Sequence, residues 1–312
     1  MSDQNPHGTT KTKVFPLPPK DFNPLTAEHG ELVHFGYPRR PDPKKEPEAF
    51  PHWQRLYARP MRLIDPNFIE HLFPTDLPIS RPRSLTYGQN GWAGSVITPA
   101  NTPYNQAITS ASGVWTITPV QLPADEVSWV ATWVGIDGSS TTDPVIVQAG
   151  TAQGFSVPIL KGQTSVVWSE WVPAGAVAVD FPANVGDDFG VSVSLQSSTE
   201  ALVWLYDFPP GRNADTVSTH FQIQAPNGSP AAGLSAEWIV ESPGGEWYAL
   251  PDFGTIKFPQ TGGLTVPYNY LQGFFDGSYG QPVEMTDAQG NVMATANIGP
   301  EGEVTITWVA AT

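Results

Sequence analysis

Glu237 stands inside Ser235-Ala236-Glu237-Trp238-Ile239-Val240-Glu241, a run whose alternation puts Ala236, Trp238 and Val240 on one face of a strand and Glu237, Ile239 and Glu241 on the other. Only three basic residues, Lys161, Arg212 and Lys257, follow Ser84. A half-buried Glu237 therefore has little chance of a cationic partner, and desolvation together with neighbouring carboxylates pushes its pKa upward. Such a carboxyl exchanges protons in mildly acidic water, although spacing alone also allows a rim glutamate whose charge points to solvent. Gln148 interrupts the apolar run Pro144-Val145-Ile146-Val147-Gln148-Ala149-Gly150, and an amide placed there must find partners or line a wet site. A cross-sheet hydrogen bond would satisfy it. Beside a carboxyl, the same neutral donor could polarise a carbonyl and stabilise the oxyanion formed when water attacks.

Other hydrolytic chemistries lack their residues. The chain has no cysteine, so it has no disulfide, no thiolate nucleophile and no thiolate metal site. Five of the six histidines, His7, His29, His34, His52 and His71, precede Ser84. His220 alone follows it, without a G-x-S-x-G, and reads as a core or strand-surface histidine. H-E-x-x-H, D-T-G and D-S-G do not occur, and His29, Glu31 and His34 are scattered polar residues of an irregular region, so neither a metal site nor a cofactor is expected. A formal net charge of -15 argues against nucleic acid and anionic membrane surfaces as partners. No run approaches the apolar length of a membrane span, and Met1-Ser2-Asp3-Gln4 lacks the basic-then-apolar pattern of a signal peptide.

The elements that must position Glu237 and Gln148 lie in one part of the chain. Twelve of the fifteen Lys and Arg residues but only ten of the thirty carboxylates fall in residues 1–83, which makes that part mildly basic and residues 84–312 strongly acidic. The predicted organisation is a basic, Pro-rich N-terminal arm over 1–83, holding fifteen of the thirty-three prolines, and a separate domain over 84–312. Within the arm the sequence predicts at most one short helix, Asn67 to Phe73, capped by Asp65 and Pro66, with Phe68, Ile69, Leu72 and Phe73 as its apolar stripe. From Leu85 onward short runs rich in Val, Ile, Thr, Trp and Phe alternate with Gly, Pro, Asn and Asp. About fourteen strands follow from that pattern, among them Trp92 to Thr98, Val127 to Ile136, Val145 to Ala149, Ser165 to Trp171, Leu202 to Tyr206 and Leu234 to Glu241. The economical architecture is all-β, an antiparallel sandwich of two sheets.

Six pieces occur in order: Asn90-Gly91-Trp92-Ala93-Gly94, Trp133-Val134-Gly135-Ile136-Asp137-Gly138, Gln148-Ala149-Gly150, Trp168-Ser169-Glu170-Trp171-Val172-Pro173, Ala236-Glu237-Trp238-Ile239-Val240-Glu241 and Asp252-Phe253-Gly254. Over about residues 88 to 310 the chain thereby resembles the glutamic peptidases, or eqolisins. The resemblance implies two sheets of about seven strands in a concanavalin-like jelly roll, with a substrate groove across the concave sheet. It implies acid-acting, pepstatin-insensitive endopeptidase activity on polypeptides. Gln148 and Glu237 match the family's catalytic pair, while Trp92, Trp133, Asp137, Trp168 and Glu170 match positions that line or support the groove. An extracellular or acidic setting is also implied, although this chain departs from secreted fungal members in showing neither a signal peptide nor cysteine.

The family's basic propeptides make residues 1–83 a candidate for one. Docked on its own acidic domain, the arm would place Arg39, Arg40, Lys44 and Lys45 over the groove. A carbohydrate-binding sandwich is the main alternative, since tryptophan and carboxylate on a concave sheet also suit sugars. A glycoside hydrolase using Glu170 with Glu237 ranks below it.

Overall fold

The computed structural model describes residues 9–69, 91–121, 128–139, 145–154, 165–210, 216–226, 228–242, 250–265 and 273–310. Among them no helix is long and apolar enough to cross a membrane. One eight-stranded sheet runs in the order β1 (Lys11–Val14), β12 (Val217–Gln224), β11 (Glu200–Phe208), β10 (Asp188–Ser197), β5 (Ile108–Thr116), β15 (Gln260–Thr265) and β16 (Phe274–Phe275), with β2 (Arg62–Leu63) also paired to β12. The second, again eight-stranded, runs β17 (Gln281–Val283), β4 (Trp92–Ile97), β13 (Ala236–Glu241), β6 (Val130–Ile136), β7 (Val147–Gln153), β8 (Val166–Trp171), β9 (Val177–Val179) and β3 (Phe68–Ile69). A four-stranded sheet, β14 (Thr255–Phe258), β20 (Val304–Trp308), β19 (Val292–Ile298) and β18 (Met285–Thr286), completes the β structure. Apart from β2, whose pairing with β12 is parallel, every ladder is antiparallel.

Period-two alternation sorts each strand between two environments. In β13, Ala236, Trp238 and Val240 join the main core, where they meet Val203 and Leu205 of β11, Val191 and Val193 of β10, and Val134 of β6. The Trp238 indole also donates to Ser112 O at 2.9 Å, which ties the two large sheets together through a buried hydrogen bond. Residues between these inward positions face away from the core, so Glu237 of β13 and Trp204 of β11 point out on opposite sides of the sandwich.

The N-terminal segment is more structured than its prolines predict. It holds two helices: α1 (His29–His34), opened by a reciprocal cap between Glu28 and Glu31, and α2 (Ala49–Tyr57). Leu32 of α1, Trp53 and Tyr57 of α2, and Phe15 and Tyr37 bury themselves against Leu202, Trp204 and Tyr206 on the outer face of the first sheet. Hydrogen bonds fix the contact: Tyr57 Oη lies 2.7 Å from Ser192 Oγ, and Trp204 Nε1 donates to Gly36 O at 3.1 Å. His220 stacks on Trp204, with ring centroids 4.1 Å apart, and its Nε2 sits 2.7 Å from Phe35 O.

Two expectations are corrected. Phe68 and Ile69 form strand β3 against Val179 and Ala178 of β9 instead of opening a helix, and residues 70–73 lie outside the described residues. An open sheet edge competes here with the local capping signal, and Phe68 gains an edge-to-face contact with Phe221 at 5.0 Å. The cationic groups assigned to the groove lie elsewhere. Arg39 pairs with Glu46, Arg40 donates to Pro24 O at 2.6 Å, and the backbone amides of Lys44 and Lys45 bind Asp42, all within the segment itself.

Candidate active site

Register alone assembles the site. Glu237 faces Gly135 across β13 and β6, Gly135 faces Gln148 across β6 and β7, and Gln148 faces Glu170 across β7 and β8. Directly paired residues share a sheet face, so Glu237, Gly135, Gln148 and Glu170 form one row on the outer side of the second sheet. At about 4.8 Å per strand, the backbones of Glu237 and Gln148 stand about 10 Å apart. Between them Gly135 contributes no side chain. A Cβ there would come within 3.0 Å of Trp133 Cζ3 and 3.1 Å of Gln148 Cβ, so glycine keeps the gap open.

The next row, Ile239, Trp133, Gly150 and Trp168, forms an apolar floor beside the polar one. Gly150 lets the strands close tightly there, since a Cβ on it would meet Trp133 Cβ at 2.7 Å. Trp129, Ala131, Trp133, Ala152, Trp168 and Ile239 make a cluster separate from the main core, with Trp92 and Val96 packed on it. Trp92 meets Trp133 edge to face at 5.0 Å, and Trp133 Nε1 donates to Glu241 Oε2 at 2.8 Å. Trp133, Trp168, Gln148 and Glu237 are fully buried, whereas Trp92 is half-buried.

Burial sets the electrostatics. It raises the Glu237 pKa well above the usual carboxyl value, and the Asp137 charge raises it further. The nearby Ser235 hydroxyl opposes that rise, although neither Glu237 oxygen makes a hydrogen bond of good geometry among the described residues. Glu170 is also raised well above its usual value by burial, with the charge of Glu241 adding to the shift. The Gln148 amide, whose Nε2 donates to Glu170 Oε2 at 2.8 Å, works against it. Both carboxyls are thus biased toward carrying a proton in weakly acidic water.

Asp137 has a different task from the tryptophans. It ends β6 with φ 68° and accepts the backbone N–H groups of Ala232, Gly233 and Leu234 at 2.8, 3.2 and 2.5 Å. Those bonds fix the approach to β13, ending two residues before the strand begins at Ala236. All seven residues singled out from the sequence fall on or beside this face. The row also depends on Gly135 as spacer and Glu241 as the acceptor that holds the Trp133 indole. Strand alternation, which puts Glu241 on the Glu237 face, is the signal for the second. Among the described residues no three His, Asp or Glu side chains are grouped to hold a metal ion.

Residues 90–308 match the sequence profile of the Peptidase A4 family. A crystal structure of scytalido-glutamic peptidase with a transition state analog inhibitor has the same fold, with a TM-score of 0.54 and 16% identity over 70% of this chain and 98% of that one. A second, with a peptide based transition state analog, superposes with a TM-score of 0.53 and 18% identity over the same shares. No curated protein sequence matches the chain.

Proposed function

Because the chain belongs to the peptidase A4 family, the eqolisins, and is a glutamic-type peptidase, we propose that Glu237 and Gln148 carry out acid-acting endopeptidase chemistry on polypeptides. The observation that supports this most directly is the row in which Gly135 separates them. A peptide crossing the strands over Gly135 brings its scissile carbonyl between the two side chains. Ionised Glu237 takes a proton from a water molecule, and the water oxygen bonds to the carbonyl carbon while the π pair moves onto the carbonyl oxygen. The Gln148 amide donates to that oxyanion in a site from which the tryptophans exclude bulk water. Glu237 then passes its proton to the amide nitrogen as the C–N bond breaks, which returns it to the carboxylate. Glu170 aims the amide, since fixing one N–H of Nε2 orients the other. Asp137 positions the strand, and Trp92, Trp133 and Trp168 support the substrate.

Residues 1–83 fit the role of a propeptide, whose described part docks mainly on the outer face of the first sheet and adds β3 to the margin of the second. The test is cleavage of a denatured protein between pH 2 and 8 in the presence of pepstatin, comparing the parent chain with Glu237→Gln and Gln148→Ala. Pepstatin-insensitive cleavage confined to acid and lost in both variants is expected. Absence of cleavage by folded parent chain would shift the reading to a sugar-binding sandwich.

A further inference from the structure

A cavity of about 380 Å³ lies between the N-terminal segment and the outer face of the first sheet, on the side of the sandwich away from Glu237. Its walls divide by chemistry. Leu56, Pro60, Val114 and Phe208 supply apolar surface, and among the described residues no Asp or Glu lines it. Arg55, in the last turn of α2, and Arg59, just past that helix, stand at it as exposed residues. Among the described residues the sole ion pair is Arg39–Glu46, so both arginines reach this cavity without a carboxylate partner. In a chain of net charge -15 that is an unusual local excess of positive charge.

Tyr206 supplies an independent sign of a missing ligand. It lines the cavity, is 2% exposed, and its hydroxyl makes no hydrogen bond among the described residues. Leaving a buried hydroxyl unmet costs stability, which a bound acceptor would recover. Tyr206 stacks on Phe208 at 6.0 Å, and the Arg59 guanidinium lies 4.3 Å over the Phe208 ring, so cation, phenol and apolar wall are contiguous. Burial keeps the phenol protonated, hence a donor.

We propose that this cavity binds a small organic carboxylate with an apolar body, held by Arg55, Arg59 and the Tyr206 hydroxyl and enclosed by the apolar wall. Because α2 and Pro60 form one side and β5, β10 and β11 the other, the ligand joins the N-terminal segment to the sheet. A bound carboxylate therefore favours the docked form of the segment by mass action.

Thermal melting and calorimetric titration of the full chain at pH 7 test this, with 3-phenylpropionate, 3-phenylpropanamide and inorganic phosphate as probes. The carboxylate is expected to bind and raise the melting temperature with its concentration, while the amide and phosphate have little effect. Arg55→Gln with Arg59→Gln should weaken binding by about tenfold or more, the loss of charge-assisted hydrogen bonds. Tyr206→Phe should weaken it several-fold while raising the melting temperature of the unliganded chain, a pairing that a merely structural tyrosine would not give. Equal binding of the amide, no binding of the carboxylate, a phosphate effect as large as that of the carboxylate, or undiminished affinity in the double arginine variant would each overturn the assignment.

Discussion

Gln148 is tied to Glu170 by a 2.8 Å bond from its Nε2 to Oε2, across the facing strands β7 and β8. The amide that would meet the oxyanion is therefore held by a carboxyl whose own charge opposes a second negative charge nearby. In the proposed mechanism, catalysis is favoured while Glu170 is protonated and Glu237 is ionised. A bell-shaped dependence of kcat/KM on pH follows, with Glu237 on the acid limb and Glu170 on the alkaline limb. Glu170→Gln should keep the acid limb and move the alkaline limb to higher pH, as steady-state kinetics would read. An unchanged alkaline limb would remove Glu170 from this role.

Gly135 should tolerate no enlargement. Gly135→Ala places a methyl 3.0 Å from Trp133 Cζ3 and 3.1 Å from Gln148 Cβ, inside the gap between the two catalytic candidates. The expected result is a folded protein destabilised by about 1–3 kcal/mol, with kcat reduced by about tenfold or more. Circular dichroism melts and kinetics on the same preparation check both parts.

Glu237 should reduce stability at neutral pH. Its folded pKa is raised, so its stabilising contribution is fully present below the unfolded value and is lost as pH rises through the folded one. Asp207 behaves alike, pushed up to about 7 by burial and then by the Asp187 charge. Glu237→Gln and Asp207→Asn should each raise the melting temperature at pH 8 relative to the parent and do little at pH 4. A variant that gains equally at both pH values would contradict the linkage.

Acid should loosen the N-terminal segment through histidines. His52 of α2 is lowered to about 3 by burial, with Arg55 adding to the shift. His220 is lowered to about 4 by burial, against its bond to Phe35 O. Each is a base whose folded pKa is depressed, so its contribution is present above about pH 6.5 and is lost as pH falls toward the folded value. Both sit where the segment meets the first sheet, His52 beside Ser112 and His220 against Trp204. Amide protection factors across residues 9–69 should fall between pH 6 and pH 4, and His52→Gln should shift that onset to lower pH. Protection that stays constant over this range would sink the idea.

The candidate active-site face is legible in the sequence because strand alternation is local. Glu237 and Trp238 differ by one position and belong to different sides of a sheet, which period two settles without any tertiary knowledge. Partnership is not local. That Gln148 meets Glu170, or that Gly135 stands between the pair, depends on register among the successive strands β6, β7 and β8 and the distant β13. Gln260–Thr265 shows no apolar period because its two glycines accommodate His52 and Phe275, contacts that exist only after folding. The helices at His29–His34 and Ala49–Tyr57 are short and set among prolines, and they form where Trp204 and Tyr206 offer an apolar surface to cover. Asp65 and Pro66 mislead for the same reason, since β9 offers Phe68 and Ile69 a ladder that outweighs a cap.

Strands β1 and β2 both hydrogen-bond to β12, and β3 to β9, so the N-terminal segment closes one margin of each large sheet. If that segment were cut away, Val217–Gln224 would be left with unpaired backbone, and Leu202, Trp204 and Tyr206 would face water beside it. Such a strand is a template for another chain. The carboxylates that crowd residues 84–312 would then keep freed molecules apart by repulsion, a safeguard that fades as acid neutralises them. A shed segment thus leaves behind a molecule whose colloidal lifetime is shortest under the acidic conditions in which it is proposed to cut.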